Sequence, residues 1–135
     1  MIRNATPADR PVLRSLQAYL PEATPCLLDG VGQVLVSVDA TDTPVGYLLA
    51  VAGDGAHVVE LVVAPDHRRE GRATGLLCAL LDAVDGPVTV ATAPDNEAAL
   101  SLYRSLGFSV VEELPDYYDS GPALLLSTSP DCERA

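Results

Sequence analysis

One continuous run constrains this chain more than any other. A strand pattern passes straight through a loop holding glycine and arginine into an apolar-faced helix. His57 to Val63 reads as the strand, Pro65 to Glu70 as a polar loop, and Gly71 to Val84 as the helix. Ala73, Leu76, Leu77, Leu80, Leu81 and Val84 fall on one helical face. The loop amides and the helix N-terminus point the same way, and their partial positive charge makes an anion site. Gly71 lets backbone approach a ligand with no Cβ in between.

Charge placement agrees. The 135 residues hold nineteen acids against eight basic residues, all Arg, for a net charge of −11. Residues 64–75 set Arg68, Arg69 and Arg72 against Asp66 and Glu70, a local excess of one positive charge. A salt-bridged, solvated helix start accounts for those residues equally well. The loop lacks the Lys-Ser/Thr of a Walker loop and the Gly-x-Gly-x-x-Gly of a dinucleotide site. The overall field repels phosphate backbones, which argues against nucleic-acid partners. We read the lysine-free, acidic composition as halophilic, a screened surface in a salt-rich cytoplasm; GC-rich codon bias produces the same bias.

The remaining chain fits one domain over residues 1–130, with a frayed tail at 131–135. No apolar run is long enough for a membrane span, and the first residues lack a signal-peptide pattern, so a cytoplasmic protein is expected. Cys26, Cys78 and Cys132 have no metal-clip spacing, and His57 and His67 stand apart from them, so no metal is expected. Strands are expected at Ile2–Asn4, Gln33–Asp39, Val45–Ala52, His57–Val63, Val88–Thr92, Phe108–Glu112 and Ala123–Ser127. Helices are expected after a Thr6 cap, with Val12, Leu13, Leu16 and Leu20 inward, at Gly71–Val84, and from an Asp95 or Asn96 cap to Leu106. Residues 21–32 read as an irregular connection and 115–122 as a loop. The order β-α-β-β-β-α-β-α-β-β gives an α+β fold with a mixed sheet covered by helices.

Arg68-x-x-Gly71-x-Ala73, after Leu-Val-Val-x-Pro65, resembles the acetyl-CoA signature of the GNAT N-acetyltransferase superfamily. Asn96-x-x-Ala99-x-x-x-Tyr103-x-x-x-Gly107-Phe108 is similar to that family's next helix and strand. Ile2-Arg3-x-Ala5-Thr6-x-x-Asp9 is similar to its opening. The resemblance implies a mostly antiparallel sheet with one splayed parallel pair, strands 57–63 and 88–92. It implies acetyl-CoA as co-substrate, with the pantetheine arm on backbone groups of Leu61, Val62 and Val63. It places the pyrophosphate on amides from Arg69 through Glu70, Gly71, Arg72 and Ala73 to Thr74, with Arg68, Arg69 and Arg72 side chains in reach. Asn96 would bind the arm or order the loop, and a plain helix cap is compatible with both.

The implied reaction is direct attack of a primary amine on the thioester in a ternary complex. Tyr103 stands where the family often keeps the acid for the leaving thiolate; core packing beside Leu102 and Leu106 is the other account. Glu60 is the candidate base, against a solvated edge position, and His57 is the second candidate. The last third resembles the subgroup that acetylates protein N-termini, including ribosomal-protein ones, and Tyr117 or Tyr118 would then line the acceptor site. Ala91 stands where that subgroup often carries Glu. A small amine or a protein N-terminus is the expected acceptor, ahead of a lysine side chain. A non-catalytic acetyl-CoA sensor and a structural partner domain that binds no CoA are the competing readings. The closing strands offer a surface for a homodimer.

Overall fold

The structure, a computed structural model, describes residues 1–19, 33–52, 55–118 and 121–128, without the side chains of 116–118. The readings of the 21–32 connection, Leu20, Cys26, Cys132 and the tail lie outside the described residues, as do the side chains of Tyr117 and Tyr118. Seven strands run in one sheet: β1 (Ile2–Asn4), β2 (Gln33–Val38), β3 (Pro44–Ala52), β4 (Ala56–Val63), β5 (Val88–Thr92), β6 (Phe108–Tyr118) and β7 (Gly121–Thr128). Their spatial order is β1-β2-β3-β4-β5-β7-β6. Among the described residues three α-helices accompany them: α1 (Arg10–Gln17), α2 (Arg72–Ala83) and α3 (Glu97–Ser105). A 3-10 turn at Pro7–Asp9 leads into α1.

The two faces of the sheet bury two different clusters. Leu76, Leu77, Leu80 and Leu81 of α2, with Leu100 and Tyr103 of α3, pack on Leu48, Ala50, Val58, Val90 and Leu126. Leu13 and Leu16 of α1 pack on Val36, Val38, Tyr47, Leu49 and Val62 on the opposite face. Strict alternation along β2 and β3 divides the residues this way, since successive side chains point to opposite faces.

All strand pairs are antiparallel except β4–β5. That parallel pair is short: Ala56, His57 and Val58 register with Val88, Thr89 and Val90, and the strands then part. The expected splay is therefore present. It starts where β4 carries a bulge, since Ala50 faces Val58 and Leu49 faces Glu60, which leaves Val59 as the extra residue.

One sequence expectation needs correction. Residues 115–118 are not loop but the continuation of β6, which runs to Tyr118. Pro115 suggested a break, because proline cannot donate to a ladder. Yet β6 is the edge strand, and its pairing skips from Leu114 to Tyr118 in a bulge that admits the proline.

Candidate functional site

The parting strands open a cleft of about 730 Å³. Its walls are β4 from Val58 to Val63 and β5 from Val90 to Thr92; α2 closes one end from Gly71 to Thr74, and α3 contributes Ala99, Leu102 and Tyr103. Every residue assigned to the co-substrate from the sequence lines this cleft except Glu70, which sits beside it in the loop.

Backbone geometry decides which groups face the opening. The Ala64 amide donates to the Val45 carbonyl at 2.8 Å. In an antiparallel ladder this makes Tyr47 and Val62 a hydrogen-bonded pair, with Leu61 and Val63 turned the other way. Of the three residues expected to offer free backbone, Val62 is thus committed to β3, while Leu61 and Val63 face the cleft. The Val63 carbonyl already accepts from Arg68 Nε at 2.9 Å. Its amide points to the same side.

At the mouth, Arg69 and Gly71 both take left-handed backbone, with φ of 65° and 77°. Gly71 is followed at once by right-handed Arg72, and such alternation turns successive amides toward one concave point. The first-turn amides of α2, Arg72 to Thr74, have no partner within the helix. A Cβ built on Gly71 would meet nothing within 4 Å. The space above this nest is open, as an approaching anion requires.

The three arginines divide their work. Arg68 braces β4 through Val63. Arg72 bonds to Glu70 at 2.8 Å, to Ser37 Oγ at 3.0 Å and to the Val38 carbonyl at 3.2 Å. Arg72 beside it holds the Glu70 carboxylate below its ordinary range. Arg69 is exposed on the cleft wall.

Asn96 caps α3: its Oδ1 accepts from the Ala99 amide at 3.2 Å. Tyr103 is buried, with its ring 5.7 Å from that of Phe108 and tilted by 55°. It therefore packs in the core and lines the cleft as well.

Glu60 is not a solvated edge residue. It is 3% exposed. The Tyr47 hydroxyl donates to Oε1 at 2.7 Å, and Gln17 Nε2 donates to Oε1 and Oε2 at 3.1 and 3.2 Å. Burial, followed by the adjacent carboxylate, pushes the Tyr47 phenol well above its ordinary value, so it remains a donor. Sequence reasoning missed Tyr47 and Gln17. The signal was present: Gln17 falls four residues after Leu13 on the apolar stripe of α1, and Tyr47 interrupts a run of aliphatic residues in β3.

His57 is outside the cleft lining. Its Nδ1 lies 2.7 Å from Thr89 Oγ1, bridging the paired ends of β4 and β5, and burial lowers its imidazole pKa. Among the described residues no cluster of three or more His, Cys, Asp or Glu could hold a metal, and no helix is long and apolar enough to cross a membrane.

A model of an acetyltransferase family, the GNAT family, matches residues 4–108. The chain is 37% identical over 87 residues to a mycothiol acetyltransferase of Clavibacter sepedonicus, covering 64% of this chain and 29% of that protein. It is 34% identical over 79 residues to an N-alpha-acetyltransferase of Sulfurisphaera tokodaii, covering 55% of this chain and 47% of that one. The chain thus spans less than half the length of these relatives. Among solved structures, Arabidopsis thaliana NAA60 in complex with acetyl-CoA superposes with a TM-score of 0.84 at 17% identity, over 96% of this chain and 98% of that one.

Proposed function

The chain belongs to the GNAT acetyltransferase family, and from that premise we propose that it transfers the acetyl group of acetyl-CoA to a primary amine by direct attack in a ternary complex. The observation that carries this reading is the β4–β5 pair, which closes at Val58 and Val90 and opens onto the nest at Gly71. A groove with one-sided backbone groups leading to a ring of amides suits a long arm ending in a pyrophosphate.

The residues present fit that co-substrate, which supplies an acetyl group activated as a thioester. The amides from Arg69 to Thr74 would hold the pyrophosphate, with the Arg69 side chain nearby. The backbone of Leu61 and Val63 would pair with the arm. The Val63 amide would receive the negative charge that develops on the thioester oxygen. Glu60 would take the proton of the attacking amine, directly or through water. Tyr103 would donate to the departing sulfur.

The acceptor is a small primary amine or a protein N-terminus. The two relatives' names divide along the same line, one specifying mycothiol and the other N-alpha acetylation. Tyr117 and Tyr118, in β6, would line the acceptor side. The sensor reading keeps one supporting observation: the β5 wall presents Ala91, Thr92 and Ala93, with no carboxylate.

The test is a calorimetric titration of acetyl-CoA into the protein in molar KCl, with Gly71→Glu alongside, then a panel of small primary amines and free-N-terminus peptides followed by thiol release. Binding lost in Gly71→Glu, together with turnover on one class of amine, is expected. A folded parent that does not bind acetyl-CoA overturns the reading. Binding with no turnover on any amine leaves the sensor.

A further inference from the structure

We propose that Tyr47 and Gln17 are positioning residues, which hold the Glu60 carboxylate in one orientation at the edge of the cleft. This rests on the reading of Glu60 as the proton acceptor.

The argument begins with the bulge. Ala56 and Val58 face the α2 side of the sheet, and strict alternation would send Glu60 into the same leucine-rich layer. The extra residue at Val59 reverses the phase, so Leu61 returns to the α2 side and Glu60 turns toward α1. Three features then coincide within a few residues: the bulge, the end of the β4–β5 pairing, and the buried carboxylate.

The surroundings supply the donors. Leu49 stands directly opposite Glu60. Tyr47 is its diagonal neighbour on the same face of β3, at a separation an aromatic side chain can bridge. Gln17 reaches in from the last turn of α1 and contacts both carboxylate oxygens. Tyr47 is fully buried, so its hydroxyl has one fixed direction. Tyr47 from β3 and Gln17 from α1 both donate to Glu60, which fixes the orientation of its carboxylate.

Stability alone does not explain the arrangement. The other members of this layer are Leu13, Leu16, Val36, Val38, Leu49 and Val62. Apolar residues of matching shape would pack there with no polar groups to satisfy. A polar network that includes Glu60, Tyr47 and Gln17 and borders the cleft suits a group that must receive a proton, since fixed donors keep its geometry before the amine arrives. Tyr47 and Gln17 exchange no proton themselves. The proton passes from the amine nitrogen to a Glu60 oxygen as the new N–C bond forms.

The experiment follows Glu60 directly, by carbon NMR of protein labelled at glutamate side-chain carboxyls, with Glu60→Gln to assign the resonance. Tyr47→Phe keeps the ring and removes only the hydroxyl. Its Glu60 carboxyl resonance should shift and broaden, because a carboxylate that loses a fixed donor samples more than one orientation. Gln17→Met should shift it the same way and serves if Tyr47→Phe does not fold. On the amine panel, kcat should fall about tenfold with KM for acetyl-CoA unchanged. A folded variant whose melting temperature drops while the Glu60 resonance and kcat stay as in the parent overturns the proposal. Should Glu60→Gln retain full turnover while the Glu60 resonance still moves in Tyr47→Phe, the base reading fails and the hold on the carboxylate stands.

Discussion

Arg72 and Ser37 join helix to sheet: Nη1 of the first residue of α2 donates to the buried Ser37 hydroxyl at 3.0 Å. The same nitrogen reaches the Val38 carbonyl at 3.2 Å, and Nε reaches Glu70. The mouth of the cleft is thereby fastened to the end of β2. Arg72→Ala should destabilise the fold by about 1–2 kcal/mol, because these groups lose charge-assisted hydrogen bonds. Arg69→Ala, at an exposed position, should change stability by less than about 0.5 kcal/mol and weaken acetyl-CoA binding instead. Urea denaturation and calorimetry of both variants separate the roles. Equal stability in the two would remove the fastening role of Arg72.

Gly55 guards the closed end of the parallel pair. A Cβ added there would overlap the Pro87 carbonyl oxygen, which accepts the Ala56 amide at 3.1 Å. Gly55→Ala must push β4 and β5 apart at the end where they are joined, so the splay would lose its vertex. We expect a loss of about 2–3 kcal/mol, typical of overpacking with backbone displacement. A denaturation midpoint close to that of the parent would show that residues 55 and 87 yield without cost.

Tyr103 allows packing and chemistry to be separated. Its ring meets Phe108, and Phe in its place keeps that contact. Tyr103→Phe should melt near the parent and bind acetyl-CoA with parental affinity. On an amine that the parent acetylates, kcat should fall about 10²-fold or more, the usual scale for losing a general acid. Parental kcat in the variant would confine Tyr103 to the core.

The loop at residues 68–75 was legible because its chemistry is local. Glycine at a left-handed position, arginines beside it and an immediate helix start all show in consecutive letters. The order of elements along the chain followed from turn residues and periodicity, and the splay from the family resemblance; the order of strands in the sheet is a property of the folded structure. The orientation of Glu60 was not legible, because one extra residue at Val59 reverses which face it occupies and no letter marks a bulge. Pro115 misled for a related reason: its meaning depends on whether the strand is central or at the edge, which is a property of the folded sheet. Tyr47 and Gln17 are far apart in the chain, and only tertiary contact brings them to one carboxylate.

The opening of the chain should set part of the acid stability. Arg3 donates to both oxygens of Asp9 at 2.8 and 3.2 Å, and the Thr6 amide adds a third bond. The Arg3 hydrogen bond is the main cause that lowers the Asp9 carboxyl from 3.8 to about 2. For an acid depressed in the folded state, the stabilisation is complete above the ordinary value and disappears as pH falls through the folded one. The contribution of Asp9 should therefore be whole at neutral pH and vanish between 3.8 and about 2. Thermal melts of the parent and Asp9→Asn across pH 6 to 2 should show a gap that is constant above about pH 5 and closes toward about pH 2. The other acids titrate in both proteins, so the gap isolates this pair. A gap that does not change with pH would mean that Asp9 contributes shape at the helix start and no charge.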